Sequence, residues 1–155
     1  GMQVAVTAAG GVVKKSSNGA HIGIANQLVI NEQGLKHPLY SGKKNNFNTP
    51  AFNFDEVATL PENGVCLASN KINKVQSMYF KINNNNIWGL QYHPEITYQK
   101  MIQLIKFRKD RLIETRKVFA NHDQVDEHIS FIEKEISISD NQQRMIELKN
   151  WLNSF

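Results

Sequence analysis

The sequence predicts an α/β fold with a C-terminal helical extension, on three observations. Strand-like runs at Val65 to Ala68, Val75 to Ile82 and Ile87 to Tyr92 follow one another closely, divided by turn residues. A small apolar segment, Gln3 to Ala9, has the composition of a helix packed on a sheet. After His93-Pro94-Glu95 the apolar residues change to near-helical spacing.

Each element has a local reason. Gly10-Gly11 stops the first helix, and Val12-Val13 starts a strand. Ser16-Ser17-Asn18-Gly19 is turn chemistry, and alternation through His21 to Ala25 and Leu28 to Ile30 suits half-buried strands. Asn31 to Asn46 reads mostly as loop. Phe47 to Phe54 returns to strand, with Pro50 marking an edge or a bulge. Asp55 is expected to cap a helical turn over Glu56 to Leu60, which Pro61 ends. Asn83 to Asn86 makes a hairpin turn between the last two strands, because asparagine tolerates positive φ. Thr97 caps a helix with Tyr98, Met101, Ile102, Ile105, Leu112 and Ile113 on its apolar side. A second helix is expected around Val125 to Glu135. A third runs from Asp140 to Asn153, with Ser139 and Gln142 as a capping box and Met145, Leu148, Leu152 and Phe155 as its stripe.

The chemistry concentrates at His93-Pro94-Glu95, just past a buried strand run. Pro94 disfavours helix at His93, so the backbone stays extended and residues two apart project to the same side. His93 and Glu95 can therefore pair. A carboxylate on one ring nitrogen fixes the tautomer and leaves the other nitrogen free to take a proton from a nucleophile. The single cysteine, Cys66, lies in the apolar run Gly64-Val65-Cys66-Leu67-Ala68 and reads as a core residue, not that nucleophile.

Composition narrows the alternatives. The 155 residues fit one domain, and no apolar run approaches the ~20 residues of a membrane helix. One cysteine excludes an internal disulfide, so the cytoplasm is the expected location. The net charge of +4 centres on Lys106, Arg108, Lys109 and Arg111, which are spread around a helix, interrupted by Asp110 and without an aromatic ladder. That argues for a solvated face, with no nucleic acid partner and no membrane partner. His21, His37 and His93 are far apart in sequence, His122 and His128 are six apart, and no Cys-x-x-Cys occurs, so no metal and no cofactor is expected.

Gly89-Leu90-Gln91-Tyr92-His93-Pro94-Glu95 closely resembles the His-Pro-Glu segment of class I glutamine amidotransferases, the Cys-His-Glu glutaminase family that includes the amidotransferase domain of GMP synthase. Ala8 to Val13, His37-Pro38-Leu39, Asp55-Glu56-Val57 with Leu60-Pro61, Leu67 to Asn70, Val75-Gln76 and Ile146 to Leu152 resemble the stand-alone, GMP-synthase-like branch in the same order. The resemblance implies a flavodoxin-like three-layer sheet, here incomplete at the N-terminus. Residues 1–96 would be the C-terminal part of the amidotransferase domain and 97–155 a helical extension packed on it.

The family's nucleophile sits in a Gly-x-Cys-x-Gly-x-Gln elbow, and Gly1-Met2-Gln3 look like its last three residues. The cysteine would then lie two residues before Gly1, and the chain would be a fragment. The alternative takes Met2 as an encoded start and Gly1 as a cloning scar; both leave the nucleophile absent. By resemblance the reaction is hydrolysis of a glutamine side-chain amide through a thioester, with His93 as general base and then acid and Glu95 as its orienter. Gln3 matches the elbow glutamine that contacts substrate. Ala51 to Asp55 aligns with a Ser-His-Gly-Asp loop whose backbone helps hold the substrate, but Phe52 replaces serine, Asn53 histidine and Phe54 glycine. The partner is glutamine or another γ-glutamyl small molecule; the ammonia acceptor, a synthase partner and a homo-oligomer stay open. The other readings are a γ-glutamyl hydrolase or peptidase on the same scaffold and a non-catalytic interaction subunit.

Overall fold

The computed structural model describes residues 1–154; Phe155, the last member of the expected terminal stripe, lies outside them. Chain order is α1 (Met2–Ala8), β1 (Val12–Lys15), β2 (His21–Ile22), β3 (Ala25–Ile30), α2 (Glu32–Lys36), β4 (Asn46–Thr49), β5 (Phe52–Asn53), β6 (Asp55–Thr59), β7 (Val65–Ser69), β8 (Ser77–Ile82), β9 (Asn85–Leu90), α3 (Tyr98–Phe107), α4 (His122–Ile138), α5 (Asn141–Arg144) and α6 (Ile146–Leu152). A 3-10 turn covers Pro38–Tyr40 and a π turn Arg111–Thr115.

A five-stranded antiparallel sheet in the order β4-β3-β7-β8-β9 forms the middle layer of this α/β fold. Side chains on β8 alternate between its faces. Met78 and Phe80 pack with Met2 and Val6 of α1 and with Val57 and Val75. Tyr79 faces the opposite cluster of Ile30, Leu39, Tyr40 and Leu67, which the 31–40 segment covers. Two small ladders, β1 with β6 and β2 with β5, flank the sheet. Against the second, α3 and α4 bury Ile102, Ile105, Val125, Ile129 and Ile132 on Ile22 and Ile24.

Close approach depends on two glycines. A Cβ on Gly89 would meet Met78 Cε at 2.7 Å and Met2 Cγ at 2.9 Å, so its absence lets α1 rest directly on β9. Gly23, at φ +83°, would meet Ile105 Cδ1 at 2.7 Å and Ile132 Cδ1 at 2.8 Å.

Several local expectations are overturned. Asp55 to Thr59 is strand β6, not a helical turn: it pairs antiparallel with β1, which buries Glu56 and Val57 and overrides the local cap signal. The 31–46 stretch is not mostly loop, since the Asn31 side chain caps α2 by accepting from Gly34 N–H. Ser139 heads no capping box. Its hydroxyl bonds back to Ile136 O, and Asp140 caps α5 by accepting from the amides of Gln142 and Gln143. The third helix breaks at Met145, and its stripe is not buried: Leu152 is 63% exposed, while Glu147 is wholly buried. β9 pairs only with β8 among the described residues, so Ile87, Trp88 and Leu90 are half-buried instead of buried. Asn83 does take positive φ, at +53°, in the hairpin between β8 and β9.

Candidate active site

His93 and Glu95 meet as their spacing requires. His93 Nδ1 lies 2.8 Å from Glu95 Oε1, with both side chains partly open to solvent. Two backbone bonds hold the bend that follows β9. His93 N–H donates to Pro50 O at 2.7 Å, and Ile96 N–H donates to His93 O at 3.1 Å. With Nδ1 engaged by the carboxylate, Nε2 is the nitrogen free for proton transfer.

A cavity of about 210 Å³ lies beside this pair, lined by Gly1, Gln3, Phe52, Asn53, Gln91 and His93 among others. Side-chain amides of three of its lining residues, from separate segments, converge on one carbonyl. Gln3 Nε2 (3.2 Å), Asn53 Nδ2 (3.0 Å) and Gln91 Nε2 (3.4 Å) all donate to Asp55 O. Gln3, expected to touch substrate, thus ties the start of α1 to the 52–55 loop. Gln91 is buried, and among the described residues its Oε1 has no hydrogen-bond partner. The sequence placed Gln91 inside the His-Pro-Glu motif but gave it no role.

Beneath His93 runs a buried polar chain that the sequence did not reveal. Tyr92 OH donates to Glu147 Oε1 at 2.7 Å, and Glu147 Oε2 takes Lys43 Nζ at 2.9 Å. Because the Tyr92 proton is spent there, Tyr40 OH donates to Tyr92 (2.9 Å) and Ser77 to Tyr40 (2.5 Å). Burial pushes the Tyr40 and Tyr92 phenols upward, keeping both protonated as donors. Burial lowers the Lys43 ammonium, and Glu147 opposes that shift. The Lys43 and Glu147 side chains are 2% and 0% exposed, so the pair is almost wholly removed from water. From the next turn of the extension, the Arg144 guanidinium donates to Pro94 O and to Ile96 O, the latter at 3.2 Å. The extension therefore grips the His-Pro-Glu bend from below and from the side.

His21 braces the same loop from β2, opposite Asn53. Its Nε2 accepts from Asn70 Nδ2 at 2.9 Å and Gln76 Nε2 at 3.1 Å. Asn70 cannot reverse this, because its oxygen accepts from the amides of Ile72 and Asn73 while its nitrogen donates to Asn26 O. Desolvation lowers the His21 pKa to about 4, with Asn53 and Asn70 opposing the shift. Among the described residues its Nδ1 has no hydrogen-bond partner.

Cys66 sits in β7, half-buried, in register with Met78, which in turn faces Gly89. At ~4.8 Å per strand it is about 10 Å across the sheet from Gly89 and a further ~13 Å along the chain direction from His93. Its single Sγ–H proton is shared between Ala68 O at 3.4 Å and Lys74 O at 3.3 Å, and burial raises its pKa, the opposite of what activates a thiolate.

Phe52 and Phe54 are not backbone-only residues of the loop. Their rings meet edge to face with centroids 5.9 Å apart. The Arg108 guanidinium lies over Phe52 at 5.1 Å and that of Arg116 over Phe54 at 4.4 Å. The expected solvated basic face is therefore divided: Lys109 pairs with Asp126 at 2.9 Å, whereas Arg108 and Arg111 turn to one cavity with Arg116. Among the described residues no His, Cys, Asp and Glu side chains cluster as a metal ion requires. Among the described residues no helix is long and apolar enough to cross a membrane.

Comparison with known proteins places this geometry. The model of the family "Glutamine amidotransferase class-I" matches residues 1–110. A gamma-glutamyl-L-1-hydroxyisopropylamide hydrolase of Pseudomonas sp is 35% identical over 100 residues, covering 63% of this chain and 34% of that protein. A glutamine amidotransferase from Thermotoga maritima superposes with TM-score 0.68 at 17% identity, over 96% of this chain and 57% of that one. A putative GMP synthase protein from Thermoplasma acidophilum gives 0.54 at 20% identity, over 74% and 58%. The chain thus spans about a third of the hydrolase and under three-fifths of the two solved structures. With the His-Pro-Glu bend at the end of β9 and the family match running from Gly1 through α3, the chain belongs to the class I glutamine amidotransferase family.

Proposed function

We propose that these residues form the histidine–glutamate half of a Cys-His-Glu site that hydrolyses the side-chain amide of glutamine or of a γ-glutamyl compound, the thiolate coming from outside the 155 residues. The observation that carries the reading is that Gly1 and His93 line one cavity. A Gly-x-Cys elbow ending in Gly1-Met2-Gln3 would bring its sulfur to that cavity, within reach of an imidazole whose Nε2 is free. Thiolate attack on the amide carbon forms the thioester, and the proton that His93 takes from sulfur goes to the leaving amine. His93 then deprotonates the water that cleaves the thioester. Glu95 holds the ring and stabilises the imidazolium.

Whether the released amine is ammonia passed to a synthase or the amine of a γ-glutamyl amide is a second reading, and the 35% identical hydrolase favours the γ-glutamyl amide. Residues 97–155 we read as an extension of the same domain, supported by the Arg144 and Glu147 contacts to the bend. The test extends the chain upstream through the Gly-x-Cys segment and compares amine release from glutamine and from γ-glutamyl alkylamides with that of the 155 residues alone. The extended chain should turn over and the shorter one should not. Equal release by both would contradict the proposal.

A further inference from the structure

Phe52 lines two cavities. One is that of His93; the other, of about 290 Å³, is formed by Phe52, Phe54, Arg108, Arg111, Leu112 and Arg116. The second has no place in amide hydrolysis, yet its composition is specific. Two of its three guanidiniums lie over the phenylalanine rings, Arg108 at 5.1 Å from the Phe52 centroid and Arg116 at 4.4 Å from that of Phe54. Among the described residues no carboxylate pairs with Arg108, Arg111 or Arg116, although the neighbouring Lys109 has found Asp126. Guanidinium forks without a carboxylate partner over an apolar floor match a carboxylate or phosphate, which accepts two parallel N–H bonds. The floor is built by Phe52 and Phe54, the residues at which the loop departs from the family's serine and glycine.

We infer that this arginine–phenylalanine cavity binds a carboxylate or phosphate carried on the amine side of the γ-glutamyl compound whose glutamyl end occupies the His93 cavity. The inference rests on the functional reading above, with Phe52 as the shared wall that one ligand spans. It assigns the substrate class as γ-glutamyl compounds with an anionic leaving amine, such as γ-glutamyl amino acids, in preference to glutamine itself.

The test is a titration of the upstream-extended protein, its elbow cysteine replaced by alanine so that no probe is turned over, followed by calorimetry and by the arginine Nε–H resonances, with three probes: γ-glutamylglutamate, γ-glutamylethylamide and inorganic phosphate. γ-Glutamylglutamate should bind at least about tenfold more tightly than γ-glutamylethylamide, the scale of one added charge-assisted bond. The gain should shrink with salt and vanish in Arg111→Gln and Arg116→Gln, whose exposed side chains leave folding intact. Phosphate should shift the same arginine resonances and compete with γ-glutamylglutamate. Equal affinity for the two glutamyl probes, or a gain that survives both substitutions, overturns the inference while leaving the functional reading standing. Arginine-dependent phosphate binding with no binding of γ-glutamylethylamide keeps the anion pocket and overturns the functional reading. No binding of any probe overturns both.

Discussion

The hydroxyl of Tyr92 donates a 2.7 Å hydrogen bond to Glu147, and so the residue before the candidate catalytic histidine is fastened to the last helix of the chain. Glu147 is held in turn by Lys43, from the segment between the 3-10 turn and β4. Parts of the sequence about a hundred residues apart are joined under one imidazole.

Removing one charge from this pair should therefore cost far more than a surface substitution. Glu147→Ala leaves the Lys43 ammonium buried without a counter-charge, held only by the Gln143 carbonyl and the Phe47 ring, and we expect a loss of about 3–5 kcal/mol in unfolding free energy. Replacing both residues by apolar ones of similar volume should restore much of it. Urea unfolding of the single and double variants measures both effects; a loss below ~1 kcal/mol for Glu147→Ala would show that the pair is solvated.

Arg144 makes a different prediction, because it holds backbone and not a buried charge. In Arg144→Ala the Pro94–Ile96 bend loses its side support while the core is untouched. The amide of Ile96, which closes the bend on His93 O, should exchange with solvent about ten times faster or more. The amides of β8 should keep their protection. Unchanged exchange at Ile96 would mean that the bend is held by the bonds within it.

Stability should also fall with acid through His21. Its pKa is about 4 in the folded chain against 6.5 for the ordinary group, so between these values the unfolded chain binds a proton that the folded one does not. The unfolded state binding more protons means that stability rises with pH. His21's contribution is thus complete above pH 6.5 and lost as pH falls to about 4, by roughly 3 kcal/mol. Melting curves across this interval should show a slope that His21→Gln flattens; equal slopes would place the acid sensitivity in other groups.

Cys66 is expected to be inert. Its thiol is half-buried with a raised pKa, so alkylation at pH 8 should be slow in the folded chain and fast in urea. Cys66→Ser should leave any turnover of the upstream-extended protein unchanged. Rapid modification of the folded chain would reopen Cys66 as a nucleophile.

How much of this was legible depends on the range of the interaction. The pairing of His93 with Glu95 follows from a local rule, that a residue before proline stays extended, and nothing distant contradicts it. The hairpin at Asn83 and the caps at Thr97 and Asn31 are likewise local, although only the first two were anticipated. The misreadings lie where a distant partner decides. Asp55 to Thr59 carries a helix-cap signal but gains a strand partner in β1, some forty residues earlier. The apolar spacing of the terminal helix predicts a buried stripe, yet the side chain it buries is Glu147, which Lys43 and Tyr92 make tolerable. No single-chain pattern links Lys43, Tyr92 and Glu147. The spread of the basic run around one helix predicts a solvated face, whereas the Phe52–Phe54 loop that gathers Arg108 and Arg116 is remote in sequence.

The central claim is that His93 moves the proton and Glu95 holds it for that task. The direct measurement is steady-state turnover of the upstream-extended protein with His93→Ala and Glu95→Gln. A general acid–base role is worth typically about 10²–10⁴ in rate, so His93→Ala should fall by at least that range. Glu95→Gln, which still accepts a bond from the ring but offers no charge to the imidazolium, should fall less. Near-wild-type turnover by His93→Ala would contradict the account.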